Sequence, residues 1–112
     1  MAARLDAVFA AEQTDAAWAA RTRSRIADQV AAVAPATSEM RSLECHASFC
    51  RLETVHESIA TYRTFLERAF LDASRHIGEG PAFTTLLGER GDGRVVAVSY
   101  LGRAGRGLPQ VD

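Results

Sequence analysis

The sequence predicts an α+β domain: a four-stranded antiparallel sheet of two hairpins, with two main helices packed on one face, in the order α-β-β-α-β-β. Three observations predict it. Apolar residues recur at helical spacing over 15–33 and 57–73, polarity alternates over 39–45 and 50–55, and a second pair of strand-like runs, 83–89 and 94–101, flanks Asp92-Gly93. Amphipathic helices and one-sided hairpins bury their apolar faces only against each other, which favours a single layered core.

The elements follow in order. Leu5, Val8 and Phe9 sit at helical spacing within residues 4–11. Thr14 is placed to cap a longer helix from Asp15 to Val33, whose stripe of Trp18, Thr22, Ile26, Val30 and Val33 faces the core. Pro35 ends it, because proline cannot continue the hydrogen-bond ladder. Strands 39–45 and 50–55 are joined by His46-Ala47-Ser48-Phe49. Pairing Cys45 with Cys50 sets a register in which Leu43 faces Leu52 on the cysteine side and Glu44 faces Arg51 on the other. A one-residue slip would destroy both matches.

Glu57 or Ser58 opens the second main helix, carrying Ile59, Tyr62, Phe65, Leu66, Ala69, Phe70 and Ala73, and Gly78 or Gly80 with Pro81 stops it. The second hairpin is expected to turn at Asp92-Gly93 in a type I′ conformation, with Leu87 facing Val98 and Thr85 facing Tyr100. Residues 1–101 form the expected domain. Residues 102–112, rich in glycine and containing Pro109, read as a flexible tail or linker.

The composition narrows the function. At 112 residues the chain buries roughly two-thirds of its unfolded surface, enough for one core. Its 47% hydrophobic and 24% charged content is that of an ordinary globular protein. A net charge of −1 argues against nucleic acid and anionic membranes as partners. All 13 basic residues are Arg, with no Lys and no Asn, a pattern of GC-rich bacterial coding rather than of phosphate recognition. No apolar run reaches the roughly 20 residues that span a bilayer, so membrane insertion is not expected. Residues 1–30 lack the apolar core of a signal peptide, so export requires a leader removed upstream of this sequence.

The cysteine pair carries the compartment. Opposed antiparallel positions that are not hydrogen-bonded lie about 4.5 Å apart at Cα, within reach of a disulfide. A loop this short stabilises by about 2 kcal/mol in the chain-entropy account. Reduced thiols, redox chemistry and metal binding are the alternatives. The spacing is Cys-x4-Cys rather than Cys-x2-Cys, and no strand–helix junction follows it to lower a thiol pKa. A zinc site using Cys45, Cys50 and His46 lacks a fourth ligand, since His56 lies about 20 Å along the strand. A disulfide implies an oxidising, extracytoplasmic location.

The run Leu43-Glu44-Cys45-His46-Ala47-Ser48-Phe49-Cys50-Arg51-Leu52-Glu53, after a Trp-bearing helix and before a hairpin ending Tyr100-Leu101-Gly102-Arg103, resembles domains of exported proteins from GC-rich proteobacteria, myxobacteria among them. Those domains often carry Arg directly after the first cysteine, where this chain has His46. The resemblance implies an extracytoplasmic address and no particular activity.

Other constellations read as structural. His46, His56 and His76 fall in a loop, at a strand end and near a helix end, where solvated or capping roles are expected. No Gly-x-Ser-x-Gly occurs, Ser48 is a turn serine, and the carboxylates are scattered. Gly102–Gly107 is followed by Pro109 where a phosphate-binding helix would have to start. Arg90-Gly91-Asp92 is explained by the turn it occupies. Arg21 and Arg25 share a helix face that could clamp a carboxylate or phosphate.

The expectation is therefore a non-enzymatic, extracytoplasmic binding or scaffold module without a cofactor or metal. It would engage a protein partner through its sheet face, an exposed strand edge, or the hairpin tip bearing His46 and Phe49, with Arg21 and Arg25 as further contact residues. The alternatives are a thiol–disulfide redox or metal-responsive protein using Cys45 and Cys50, and an accessory subunit of a larger envelope assembly.

Overall fold

A computed structural model describes residues 2–72, 76–105 and 108. The elements are α1 (Ala2–Ala11), α2 (Ala16–Val33), β1 (Glu39–Cys45), β2 (Phe49–His56), α3 (Ile59–Leu66), β3 (Ala82–Glu89) and β4 (Val95–Gly102). α3 runs on into a π-helical turn over Glu67–Leu71, closed by the Asp72 N–H donating to Glu67 O at 2.9 Å. The four antiparallel strands lie in the order β1-β2-β4-β3, so the two hairpins join through β2 and β4 and leave β1 and β3 as edges.

Alternation along the strands divides the core in two. Cys50, Leu52 and Leu101 point to one face, where Trp18, Ile26, Val30 and Val33 of α2 meet Phe65 of α3 and Ala69 of the π turn. Tyr62 covers Val95 and Ala97 at the far end of that face. Phe49, Val98 and Tyr100 point the other way and are covered by Leu5 and Phe9 of α1. The two main helices thus share one face as expected, while the short N-terminal helix occupies the opposite one. Helical spacing predicts α1 but not its side of the sheet, which depends on which strand residues it meets.

The first hairpin has the predicted pairs Leu43–Leu52, Glu44–Arg51 and Cys45–Cys50, and the register slips by one residue between Met40 and Ser42. β2 begins at Phe49, so the connection is His46-Ala47-Ser48. The expected type I′ turn in the second hairpin is not formed. Gly93 alone has a positive φ there, +86°, and the Gly93 N–H donates to Arg90 O while Arg90 N–H donates to Arg94 O. This is a three-residue loop ending in a glycine bulge. The register moves accordingly: Thr85 faces Val98 and Phe83 faces Tyr100, and an irregularity between Leu86 and Gly88 leaves Leu87 unpaired.

Two boundaries also move. Asp15, not Thr14, caps α2, its carboxylate accepting from Trp18 N–H at 3.2 Å. β4 extends through Gly102, whose N–H donates to Pro81 O at 2.7 Å, and Arg103 N–H donates to Ser48 O at 3.0 Å. A Cβ on Gly80 would lie 2.8 Å from Gly102 O, so glycine is needed for this approach. The ordered domain therefore reaches past residue 101. The rest of the expected tail, 106–107 and 109–112, and the helical position Ala73 lie outside the described residues.

Candidate functional site

The cysteines form the expected disulfide. The His46 N–H donates to Phe49 O, which makes the adjacent Cys45–Cys50 pair a non-hydrogen-bonded one, and its Cα atoms lie 4.0 Å apart. Both sulfurs are covered, Cys45 being 5% and Cys50 0% exposed.

The hairpin tip, expected to be a contact surface, is occupied by the protein itself. Phe49 is 0% exposed and packs edge-on to Phe9, with Tyr100 beside it, so it belongs to the core and cannot present its ring to a partner. His46 stacks on Phe9 with ring centres 3.7 Å apart, donates from Nδ1 to Phe9 O at 2.6 Å, and lies 3.6 Å from Glu44. Glu12 accepts from the Ala47 and Ser48 N–H groups at 2.9 and 2.7 Å and from the Ser48 hydroxyl. Arg103 donates to Ala47 O and Asp15, both at 3.0 Å, and covers the Trp18 ring at 4.8 Å. These polar groups are satisfied within the fold, which leaves the tip little to offer a ligand.

Arg21 and Arg25 do not form a clamp. Arg25 binds Glu79 at 2.5 Å, while Arg21 stays exposed on α2, its charge acting on Asp15. Glu79 also accepts from Trp18 Nε1 and Ala104 N–H, and although burial opposes its charge, these bonds and Arg25 hold its pKa below the usual carboxylate value. Glu44 and Arg51 face each other across the strands as expected, but no ion pair joins their side chains. Arg51 turns to Asp6 at 2.7 Å, because α1 brings a carboxylate over its side of the sheet.

His56 is not solvated. It is 0% exposed, between Ser38 Oγ at 2.7 Å and Thr54 Oγ1 at 2.8 Å, against the rings of Tyr62 and Phe65, and burial pushes its pKa down to about 4. His76 is exposed and stands edge-on to Phe70. Among the described residues no group of three or more His, Cys, Asp or Glu is arranged to hold a metal ion, and the two sulfurs bond each other.

The two sheet edges differ. On β1, alternation from the His46–Phe49 pair turns the backbone of Leu43 outward, and Arg23 Nε donates to Leu43 O at 3.0 Å, blunting that edge. On β3, the Gly102–Pro81 bond makes 81 and 102 a hydrogen-bonded pair. Phe83 and Thr85 therefore turn their backbones toward β4, and Ala82, Thr84 and Leu86 turn theirs outward. The outward row lies next to a groove of about 340 Å³ lined by Leu66, Phe70, Leu71, His76, Ala82 and Thr84. Leu71 in its lining is 77% exposed, and further along β3 Leu86 and Leu87 are 38% and 46% exposed. An exposed strand edge is among the contact surfaces the sequence suggests, but neither β3 nor the groove beside it is singled out there, although consecutive Leu86 and Leu87 break the alternation of a half-buried strand and mark the irregularity.

No protein-family model, curated protein or solved structure matches the chain. No helix among the described residues is long and apolar enough to cross a membrane.

Proposed function

We propose that this chain is an extracytoplasmic, non-enzymatic binding module that captures an extended segment of a protein partner as a fifth strand along β3. One observation carries the reading: the outward backbone groups of Ala82, Thr84 and Leu86 belong to residues on the same face as the apolar groove. Residues directly opposed on neighbouring strands point to the same face, so an incoming residue paired with Ala82 or Thr84 would direct its side chain toward Phe70 and Leu71. Main-chain bonds would supply affinity and the groove would select apolar residues at alternate positions.

The disulfide supports the extracytoplasmic location. Burial of both sulfurs weighs against the redox alternative, because exchange needs an accessible sulfur.

The test is a displayed library of random decapeptides panned against the full chain. Binders should alternate apolar residues, slow amide exchange at Ala82, Thr84 and Leu86, and be lost on Thr84→Pro, which removes an outward N–H while leaving the β3–β4 ladder intact. Binders that protect other amides, or that ignore the proline, would refute strand capture.

A further inference from the structure

We infer that the groove between α2 and β1 is a second binding site, one that takes the carboxylate of a ligand with a small apolar body. The groove measures about 620 Å³. Ala19 and Ala20 of α2, Leu43 and the Cys45 end of the disulfide give it apolar walls, and Arg23, Arg41 and Arg51 bring positive charge to it.

The three arginines are not equivalent. Arg51 is neutralised by Asp6 at 2.7 Å. Glu53 lies 3.5 Å from Arg41 and 3.9 Å from Arg51, so one carboxylate is shared between two guanidinium groups. Among the described residues Arg23 makes no ion pair, and its one bond, from Nε to Leu43 O, holds the guanidinium along the β1 edge with no partner on its terminal nitrogens. Arg41 is the residue inserted where the β1–β2 register slips, and its side chain is 53% exposed. Glu44 also lines the groove, where its side chain is 69% exposed and turned toward solvent, 3.6 Å from His46 Nε2.

A fixed guanidinium with free terminal N–H groups matches the two parallel acceptors of a carboxylate, and the apolar walls beside it suit an alkyl side chain. The same chemistry is offered by the C-terminal residue of a peptide and by a free branched organic acid. This site is independent of strand capture at β3, which lies at the opposite edge of the sheet.

The experiment is an amide NMR titration of the full chain with three probes: acetyl-Ala-Ala-Val-Leu with a free carboxylate, the same peptide amidated, and isovalerate. Saturable shifts are expected at Ser42–Cys45 and Ala19–Arg23 with the acid peptide, and binding about tenfold or more weaker for the amide and for Arg23→Gln. Arg63→Gln, on α3, should bind as the parent does. Binding of the peptide without isovalerate assigns the site to peptide C-termini, and binding of both assigns it to organic acids generally. Should Arg23→Gln disturb the fold, Arg23→Lys, which keeps the charge but loses the paired N–H groups, should also bind the acid peptide more weakly than the parent. Absence of saturable shifts with either acid, or equal binding by the amide and the arginine variants, would overturn the inference.

Discussion

Tyr100 and Asp6, 94 positions apart in the chain, meet where the Tyr100 hydroxyl donates to Asp6 Oδ1 at 2.7 Å, and the same oxygen accepts from Arg51 Nε at 2.7 Å. The contact joins the first helix to β4 and β2 and holds α1 on the sheet face opposite the two larger helices. Burial and the Asp6 charge push the Tyr100 pKa up to about 12. Burial opposes the Asp6 charge, but the bonds from Arg51 and Tyr100 outweigh it and hold the Asp6 pKa below its ordinary 3.8.

Tyr100→Phe should therefore cost about 1–3 kcal/mol in urea unfolding, since it removes a hydroxyl donated to a charged acceptor. Because the folded pKa of Asp6 is depressed, its contribution is present above pH 3.8 and is lost as pH falls through the lowered folded value. A Tyr100→Phe protein as stable as the parent, with amide protection in α1 unchanged, would show that this contact does not hold the helix.

His56 sets a second pH dependence, in a higher window. Its folded pKa, about 4, lies below the ordinary 6.5, so the unfolded chain takes up the proton first. Stability from this group is complete above pH 6.5 and declines as pH falls from 6.5 toward 4. Unfolding free energies measured across that window should slope downward with acid, and His56→Gln should flatten the slope. An imidazole NMR titration with a midpoint near 6.5 would contradict the burial argument.

Replacing both cysteines by alanine should lower stability by about 2 kcal/mol on the chain-entropy account of a short loop and leave the hairpin register unchanged, because Leu43–Leu52 and the Glu12 clamp on the tip still specify it. With both sulfurs buried, the bond in the native protein should resist dithiothreitol until denaturant is added. Rapid reduction under native conditions would show that the sulfurs are reachable and would revive a redox role.

Much of this architecture is legible from local chemistry. The Cys45–Cys50 register follows from matching apolar and paired positions on two short strands, and α2 follows from a stripe that needs no partner to be recognised. The second hairpin is less legible: Leu86 and Leu87 satisfy two alternation patterns, and the glycine bulge at Gly93 selects one of them. The candidate sites are less legible still. Phe49 reads as a turn aromatic only until α1 is laid over it, and Arg51 reads as the partner of Glu44 only until Asp6 arrives.

The sequence by itself determined the element order, the first hairpin's pairing and the disulfide, because each depends on residues close together in the chain, where spacing and alternation act directly. Tertiary structure alone decided that α1 crosses to the opposite face, that the hairpin tip is sealed by Glu12 and Arg103, and that β3 is left, among the described residues, as an unpaired edge beside an apolar groove. Those outcomes depend on which distant side chains meet, and a contact between residues dozens of positions apart leaves no periodic trace in either segment.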